Sequence, residues 1–382
     1  MKAEDNMKMN SLPLKDKKEE NLYTASQWQL MWWRFKKNRF AVFFLIVVIA
    51  LYVSAVFAPF IAPYGSDQIF SGYKYVSPTP LHFQDQNGKV TLIPIVYGQK
   101  ATMNPQTFAR DYTTDYSTPA KIKFFVRGSD YVILWVFKSN IHLFGTDNSS
   151  IPVFLFGTDS LGRDMFGRVF YGSQISLSIG LLGIFISFLL GITIGGIAAH
   201  YGGGVDNLIQ RLIEIIICVP TLPLWMGLSA AIPANWPPLG VYFGIIVILS
   251  LIGWTGLARV IRGKFLSLRD LQFITAARLS GRTEMQIIFI HMLPSFLSYI
   301  IVSLTLSIPG MILGETGLSF LGLGIKPPIV SWGVLLQEAR DLNTLALRPW
   351  LLIPSLFLIL TVLAFNFVGD GLREAADPYS NI

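Results

Sequence analysis

Charge is what this 382-residue chain has least of. Lys and Arg number 30 and Asp and Glu 23, so 14% of residues are charged, against about 25% in average soluble proteins. With 52% hydrophobic residues and a mean hydropathy of +0.52, the composition excludes a soluble globular enzyme and a disordered, tail-like chain alike. The single cysteine, Cys218, lies in an apolar stretch, which excludes a disulfide framework and a cysteine metal site. No G-x-x-x-x-G-K-[ST] phosphate loop occurs, so nucleotide is not bound in that way. There is no H-E-x-x-H, and His82, His142, His200 and His291 are scattered, which argues against a zinc site or histidine catalysis.

What is present are long apolar runs. Six are long enough to cross hydrocarbon as helices: about Ala41 to Ile61, Ile175 to Ala199, Leu208 to Ile232, Leu239 to Val260, Ser295 to Leu313 and Trp350 to Val368. Pro220, Pro223, Pro309 and Pro354 fall within three of them, which membrane helices tolerate when neighbours satisfy the freed carbonyls. The first run follows 40 residues and is too long for a cleaved leader, so it reads as a signal anchor.

The net charge of +7 is explained by topology rather than by nucleic acid. Nine basic residues lie in the first 40 positions and six more between Arg259 and Arg282, each cluster flanking an apolar run. Arg34, Lys36, Lys37 and Arg39 hold the N-terminus in the cytoplasm; six spans return the C-terminus there and place the loop after the fourth span on the same side. The long segment from 62 to 174 falls outside despite ten basic residues, because loops of that length translocate regardless of charge.

Ahead of the first span, Trp28, Trp32 and Phe35 recur at helical spacing, as in an interfacial helix that seats the anchor; residues 1 to 22 read as a disordered tail. In the outer segment, Asn87-Gly88 reads as a tight hairpin turn. Lys121 to Val126 and Tyr131 to Phe137, separated by Arg127-Gly-Ser-Asp130, read as a second hairpin, giving a small β-rich outer unit. Gly191 and Gly195 form a G-x-x-x-G on the second span, a packing signal. Arg211 and Glu214, one turn apart near the cytoplasmic end of the third span, read as a structural ion pair. An intramembrane aspartyl protease needs two facing acids, and only Asp370, at a helix end beside Arg373, approaches that.

The loop after the fourth span is the most informative segment. Ser267 to Ser280 reads as a short helix with Ser267 as N-cap and Gly281 at its end. Thr283 with Gln286 forms a capping box that opens a second helix towards Pro294. Such an elbow suits docking into a groove on another protein: Ala276 and Ala277 permit close approach, and Phe273, Ile274 and Leu279 are candidate anchors. An amphipathic helix lying on the membrane is the competing reading.

Thr275-Ala-Ala-x-x-x-Gly281, followed after nine residues by His291-Met-Leu-Pro294, resembles the EAA loop of ABC importer permeases. The stretch Gly253-Trp-Thr-Gly-Leu-Ala-Arg259 before it is similar too. Phe156-Gly-Thr-Asp-Ser-Leu-Gly-Arg-Asp164 resembles the C-type dipeptide and oligopeptide permeases. So do Leu318-Ser-Phe-Leu-Gly-Leu-Gly-Ile-Lys-Pro-Pro328 with Ser331-Trp-Gly333, and Phe365-Asn-Phe-Val-Gly-Asp-Gly-Leu-Arg-Glu-Ala-Ala-Asp-Pro378. Two departures stand out. Thr275 occupies the usual Glu position, and the outer insert, about Tyr64 to Ile151, is longer than the family norm.

The resemblance implies an all-α polytopic membrane protein with the six-helix type I ABC importer permease fold, carrying a β-rich insert between helices 1 and 2. Its parts would be a cytoplasmic tail and interfacial helix (1–40), an anchor helix (41–61), the insert (62–174), a permease core (175–370) with a coupling loop (261–293), and a cytoplasmic end (371–382). The chain would catalyse no bond chemistry and bind no cofactor, ATP and Mg sitting on partner subunits. Partners would be a homologous permease, two cytoplasmic ATPases, an extracytoplasmic substrate-binding protein and the lipid of a bacterial or archaeal plasma membrane. Phe273, Ile274, Thr275, Ala276, Ala277, Arg278 and Gly281 would couple to the ATPase, and Ser303, Thr305 and Ser307 would line the pathway. Peptide is the expected cargo and oligosaccharide the alternative. From another class, a membrane-anchored sensor would need a cytoplasmic output domain, for which about a dozen residues remain after Asp370.

Overall fold

The computed structural model describes residues 25–84, 90–103, 110–133, 136–148 and 150–377. The helices used below are α1 (Gln27–Lys37), α2 (Arg39–Val56), α3 (Met165–Tyr201), α4 (Gly203–Cys218), α5 (Thr221–Ala230), α6 (Pro238–Leu268), α7 (Gln272–Leu279), α8 (Leu297–Phe320) and α9 (Ile353–Ala376). Five are long and apolar enough to cross a membrane, α9 being counted there from Pro349. The third expected span is no single helix: α4 and α5 meet at a bend of 90°. Pro220 at the junction has no N–H to donate and its ring blocks the carbonyl one turn back, so α4 stops at Cys218.

Side-chain neighbours decide whether that bent pair crosses or turns back. Ser178 Oγ lies 2.8 Å from the Tyr242 hydroxyl, and Ser250 Oγ donates to the Gly183 carbonyl at 3.0 Å. Further along, Gly191 faces Leu257, Gly195 faces Ala258 and Gly196 faces Phe265. Residue numbers rise together, so α3 and α6 run parallel. The chain between them, residues 202–237, must therefore return through the whole thickness of the layer. The α4–α5 pair is a broken crossing, and the crossings among the described residues number six.

The remaining pairs are antiparallel. Tyr52 donates to the Leu177 carbonyl and Gln174 Nε2 to the Ala55 carbonyl at 2.8 Å, setting α2 against α3. Asn38 Nδ2 donates to Glu374 at 3.0 Å and Phe44 stacks on Phe367, setting α2 against α9. Ile308 and Ile312 of α8 pack on Gly180. Both described ends of the chain, the α3–α4 junction and the loop after α6 thus lie at one end of the bundle, and the 62–164 insert at the other. In α1, Trp28 and Trp32 are exposed, whereas Phe35 is buried beside Gly371 and does not anchor in the interface as its spacing suggests.

The insert is a four-stranded antiparallel sheet in the order β1 (His82–Gln84), β2 (Val90–Met103), β3 (Arg110–Ile133), β4 (Phe137–Thr146). The Asn87-Gly88 turn lies outside the described residues, but Gln84 and Val90 on either side of it are partners. The second expected hairpin is corrected. Arg127-Gly-Ser-Asp130 is a bulge within one long strand, and the reversal comes between Ile133 and its partner Phe137. The cause is His142, whose ring packs against Gly128: a Cβ there would come 2.5 Å from the imidazole. The ring nitrogens lie 2.5 Å from the Ala62 carbonyl and 3.1 Å from that of Ser129. The strand wraps the imidazole and continues.

The glycine pair on α3 packs as its spacing suggests, since a Cβ on Gly195 would stand 2.5 Å from the Ala258 carbonyl oxygen, an atom that cannot step aside. Gly195→Val should therefore cost about 1–3 kcal/mol and lower the thermal unfolding midpoint of the purified protein. Gly256→Ala, whose Cβ meets nothing within 4 Å, should leave that midpoint in place.

Candidate functional site

The elbow after α6 is built differently from its sequence expectation. Ser267 is not an N-cap: α6 continues through it and its hydroxyl donates back to the Lys264 carbonyl at 2.8 Å. Helix α7 begins at Gln272 behind Leu271, without a side-chain cap, so packing holds it instead. Ile274 and Ala277 are buried in a cluster with Phe265, Ile287, Ile288 and Met292. Ile274 is thus an inward peg and not an outward anchor. The outward face carries Leu271, Phe273, Ala276 and Leu279, the last 85% exposed, and Thr275 is exposed with its hydroxyl directed to the Leu271 carbonyl at 3.4 Å.

The far end of α7 closes in a Schellman turn. Gly281 has φ +76°, its N–H donates to the Arg278 carbonyl at 3.0 Å, and Arg282 N–H donates to Ala277 at 3.3 Å. The capping box follows as the sequence implied: Gln286 N–H donates to Thr283 Oγ1 at 3.4 Å and Thr283 N–H to the Gln286 side chain at 3.2 Å. Across the elbow, Arg278 makes a two-pronged pair with Glu284 at 2.8 and 3.4 Å, and Glu284 lies 3.7 Å from His200 at the end of α3. Hydrogen bonds from Arg278 hold the Glu284 carboxyl below the usual carboxylate range, and the same contact raises the Arg278 guanidinium. The pair's contribution is therefore present above the ordinary Glu value and is lost as pH falls through the depressed one.

A second constellation escaped the sequence reading. Glu315 on α8 is fully buried, and Oε1 accepts from Ser319 at 2.7 Å and Ser331 at 2.6 Å, while Oε2 accepts from Ser176 and Thr316 at 3.5 Å. Three of these hydroxyls in turn accept a backbone N–H: Ser176 from Trp332, Ser319 from Ile325 and Ser331 from Val334. One carboxylate thus gathers α3, α8 and the Trp332–Leu336 turn. The expected fifth span ends at Leu313, two residues before Glu315, so the acid falls outside it. The Glu315-Thr-x-x-Ser319 spacing, which puts an acid and a hydroxyl one turn apart, was the available signal.

Nearby, Asp159 pairs with Arg163 at 2.7 Å and with Arg168, and Ser160 donates to Glu338 at 2.9 Å, so the Phe156–Asp164 stretch is a folded clasp. Gly157 and Gly162 adopt positive φ to make it. Ser303 lines a cavity of about 990 Å³ between α1, α6, α8 and α9, whereas the Thr305 and Ser307 hydroxyls bond back to Ile301 and Ser303. Arg211 Nη1 donates to Glu214 at 2.7 Å, both exposed.

The family described as binding-protein-dependent transport system inner membrane component matches residues 191–379, and the N-terminal transmembrane domain of oligopeptide transport permease C matches residues 26–78. The dipeptide transport system permease protein DppC of Bacillus subtilis is 41% identical over 225 residues, 58% of this chain and 68% of that one. The oligopeptide transport system permease protein OppC of Haemophilus influenzae is 42% identical over 224 residues, 58% of this chain and 70% of that one. The chain belongs to this permease family. With membership comes the type I ABC importer permease fold, here with the β-rich insert between the first two spans. Among solved structures, an inward-facing MetNI methionine ABC transporter aligns with TM-score 0.43 and 18% identity over 56% of this chain and 98% of that one.

The family's elbow is thus fixed at three points in this permease: the Ile274 peg, the Gly281 turn and Glu284. Glu284→Gln should release the last, raising amide hydrogen exchange across Arg278 to Gln286 while α6 and α8 exchange as before. Glu315→Ala should cost about 3 kcal/mol, because it leaves buried serine hydroxyls without an acceptor, read as a lowered unfolding midpoint.

Proposed function

We propose that this permease is one of two homologous subunits that form the membrane pathway of an ATP-driven peptide importer working by alternating access. Two cytoplasmic ATPases and an extracytoplasmic binding protein complete the assembly, and ATP and magnesium are bound on the ATPases. The observation that carries the reading is the elbow: an apolar face of Leu271, Phe273, Ala276 and Leu279 stands outside a helix that its own core holds by Ile274 and Ala277. A lever needs that division, one face free to dock and one fixed to the spans. Closure of the ATPases pushes α7, and the push passes through Ile274 to Phe265 on α6 and through Glu284 towards α3, rotating the parallel pair. Thr275 offers no charge to the ATPase, so docking here is apolar with Arg278 committed internally.

The elbow end of the bundle carries the basic residues around Arg34–Arg39 and Arg259–Arg282 and faces the cytoplasm, and with it both described ends of the chain. Peptide cargo is supported by relatives named for dipeptide, oligopeptide and glutathione transport. Gly281→Val tests the reading, because a β-branched residue at φ +76° meets a penalty of about 1–2 kcal/mol in the turn. ATP-driven uptake of a labelled oligopeptide by the reconstituted complex should fall to background and the ATPase should be lost on purification, with membrane insertion unchanged. Undiminished uptake would reject the coupling role.

A further inference from the structure

The β3–β4 hairpin descends along the bundle instead of rising from it. At its base Phe144 meets Phe166 on α3, with ring centroids 5.4 Å apart. Further along, His142 reaches the Ala62 carbonyl, and the Ala62 Cβ is the nearest atom to a Cβ built on Gly167. Beyond it the Tyr131 ring packs edge-on against His142, with centroids 5.1 Å apart. From Gly167 to Gln174 on α3 is about 10 Å at the helical rise per residue, and from His142 to Phe137 the strand extends about 16 Å. The reversal is therefore within reach of the level of Gln174 and Ala55, which are hydrogen-bonded to one another in the outermost turn of the α2 span.

What reaches that level is apolar. Val132, Val136 and Phe137 are 48%, 72% and 66% exposed, and Ile133 is partly so. By sequence, Tyr131-Val-Ile-Leu-Trp-Val-Phe137 holds none of the Gly, Pro, Asn or Asp that make water-facing turns; Leu134 and Trp135 lie outside the described residues. Phe125 on β3 meets Phe60 with a tilted ring, centroids 6.2 Å apart, and so continues the exposed apolar stripe of Val53 and Val56 on α2 and of Phe57 just after it. Lys123, Arg127 and Lys138 on the hairpin are exposed and make no ion pair among the described residues.

We propose that this hairpin is a membrane-dipping element, with Val132, Ile133, Val136 and Phe137 seated at the acyl boundary of the outer leaflet and the basic side chains at the lipid phosphates. Three features select lipid as the occupant. The tip comes within reach of the end of the α2 span, the apolar surface is continuous with that span's exposed stripe, and Arg127 and Lys138 stand on the strands next to the tip, as cations flank interfacial segments. The insert is thereby braced between the bundle and the bilayer, which fixes the direction in which its other hairpin, β2 with the first half of β3, projects away from the membrane.

The test uses the assembled importer in lipid nanodiscs, in a Cys218→Ser background, with an environment-sensitive fluorophore on Val136→Cys. Leu92→Cys, 99% exposed on β2, is the control. Emission at 136 should be blue-shifted, quenched by phospholipid spin-labelled near the head of the acyl chain, and resistant to iodide, with the opposite pattern at 92. Iodide quenching at 136 equal to that at 92 would overturn the proposal. So would protection from both quenchers, which would mean that a protein subunit covers the tip. Neither outcome bears on the coupling elbow, which lies at the other end of the molecule.

Discussion

Parallel packing of α3 against α6 is the constraint from which the rest of the permease follows. Two neighbouring helices in a bilayer can run parallel only if the chain between them crosses back, and residues 202–237 do so although a proline breaks them into two helices at 90°. Close approach is bought with glycine: Gly191, Gly195 and Gly196 put α3 backbone against α6 side chains and carbonyls. In lipid there is no water for freed backbone groups, so such contact is favoured where it hides polar main chain and fills space. Once these two helices are fixed, the elbow after α6 and the end of α3 must share one face, which is why Glu284 can reach His200.

At the opposite face the organising element is polar. Glu315 accepts from hydroxyls whose own oxygens are occupied by backbone N–H groups of Ile325, Trp332 and Val334. Each serine therefore passes a main-chain donor on to the carboxylate, and a short helix and an irregular loop are satisfied inside an apolar layer. A buried acid is costly alone and is tolerated when its acceptor capacity is filled. The Asp159–Arg163–Arg168 clasp applies the same rule at the insert's root. Both ends of the bundle are thus tied by acidic side chains, buried at Glu315 and Asp159 and exposed at Glu284.

The spans and the Gly281 turn were legible because they depend on local signals: apolar runs, a capping box and a glycine. The failures share one cause. Ser267 looks like a cap by type, yet α6 had reason to continue, since Phe265 was still burying itself against Ile274 and Ile287. Arg127-Gly-Ser-Asp130 looks like a turn, yet His142, distant in sequence until β4 pairs, needs a glycine beside it. Phe35 fits an interfacial stripe, yet Gly371 supplies a hollow that removes it from the interface. Glu315 lies just past the end of an apolar run, and only the fold shows that the helix goes on to Phe320. In each case a tertiary neighbour outweighed a local preference.

The same logic bears on why Thr275 is acceptable where the resemblance leads one to expect an acid. A charge on the docking face contributes most when it is desolvated against a partner, and it weakens as it is shared with nearby cations. Here the cation one turn on, Arg278, is already engaged in a two-pronged contact with Glu284 across the elbow. An acid at 275 would compete for that guanidinium and loosen the link from α7 to the rest of the loop. Threonine leaves Arg278 to Glu284, so α7 keeps its link to the rest of the loop while Phe273 and Leu279 leave its outer face apolar. A single position therefore bears on both the grip of the elbow on its own helix and the charge of that face.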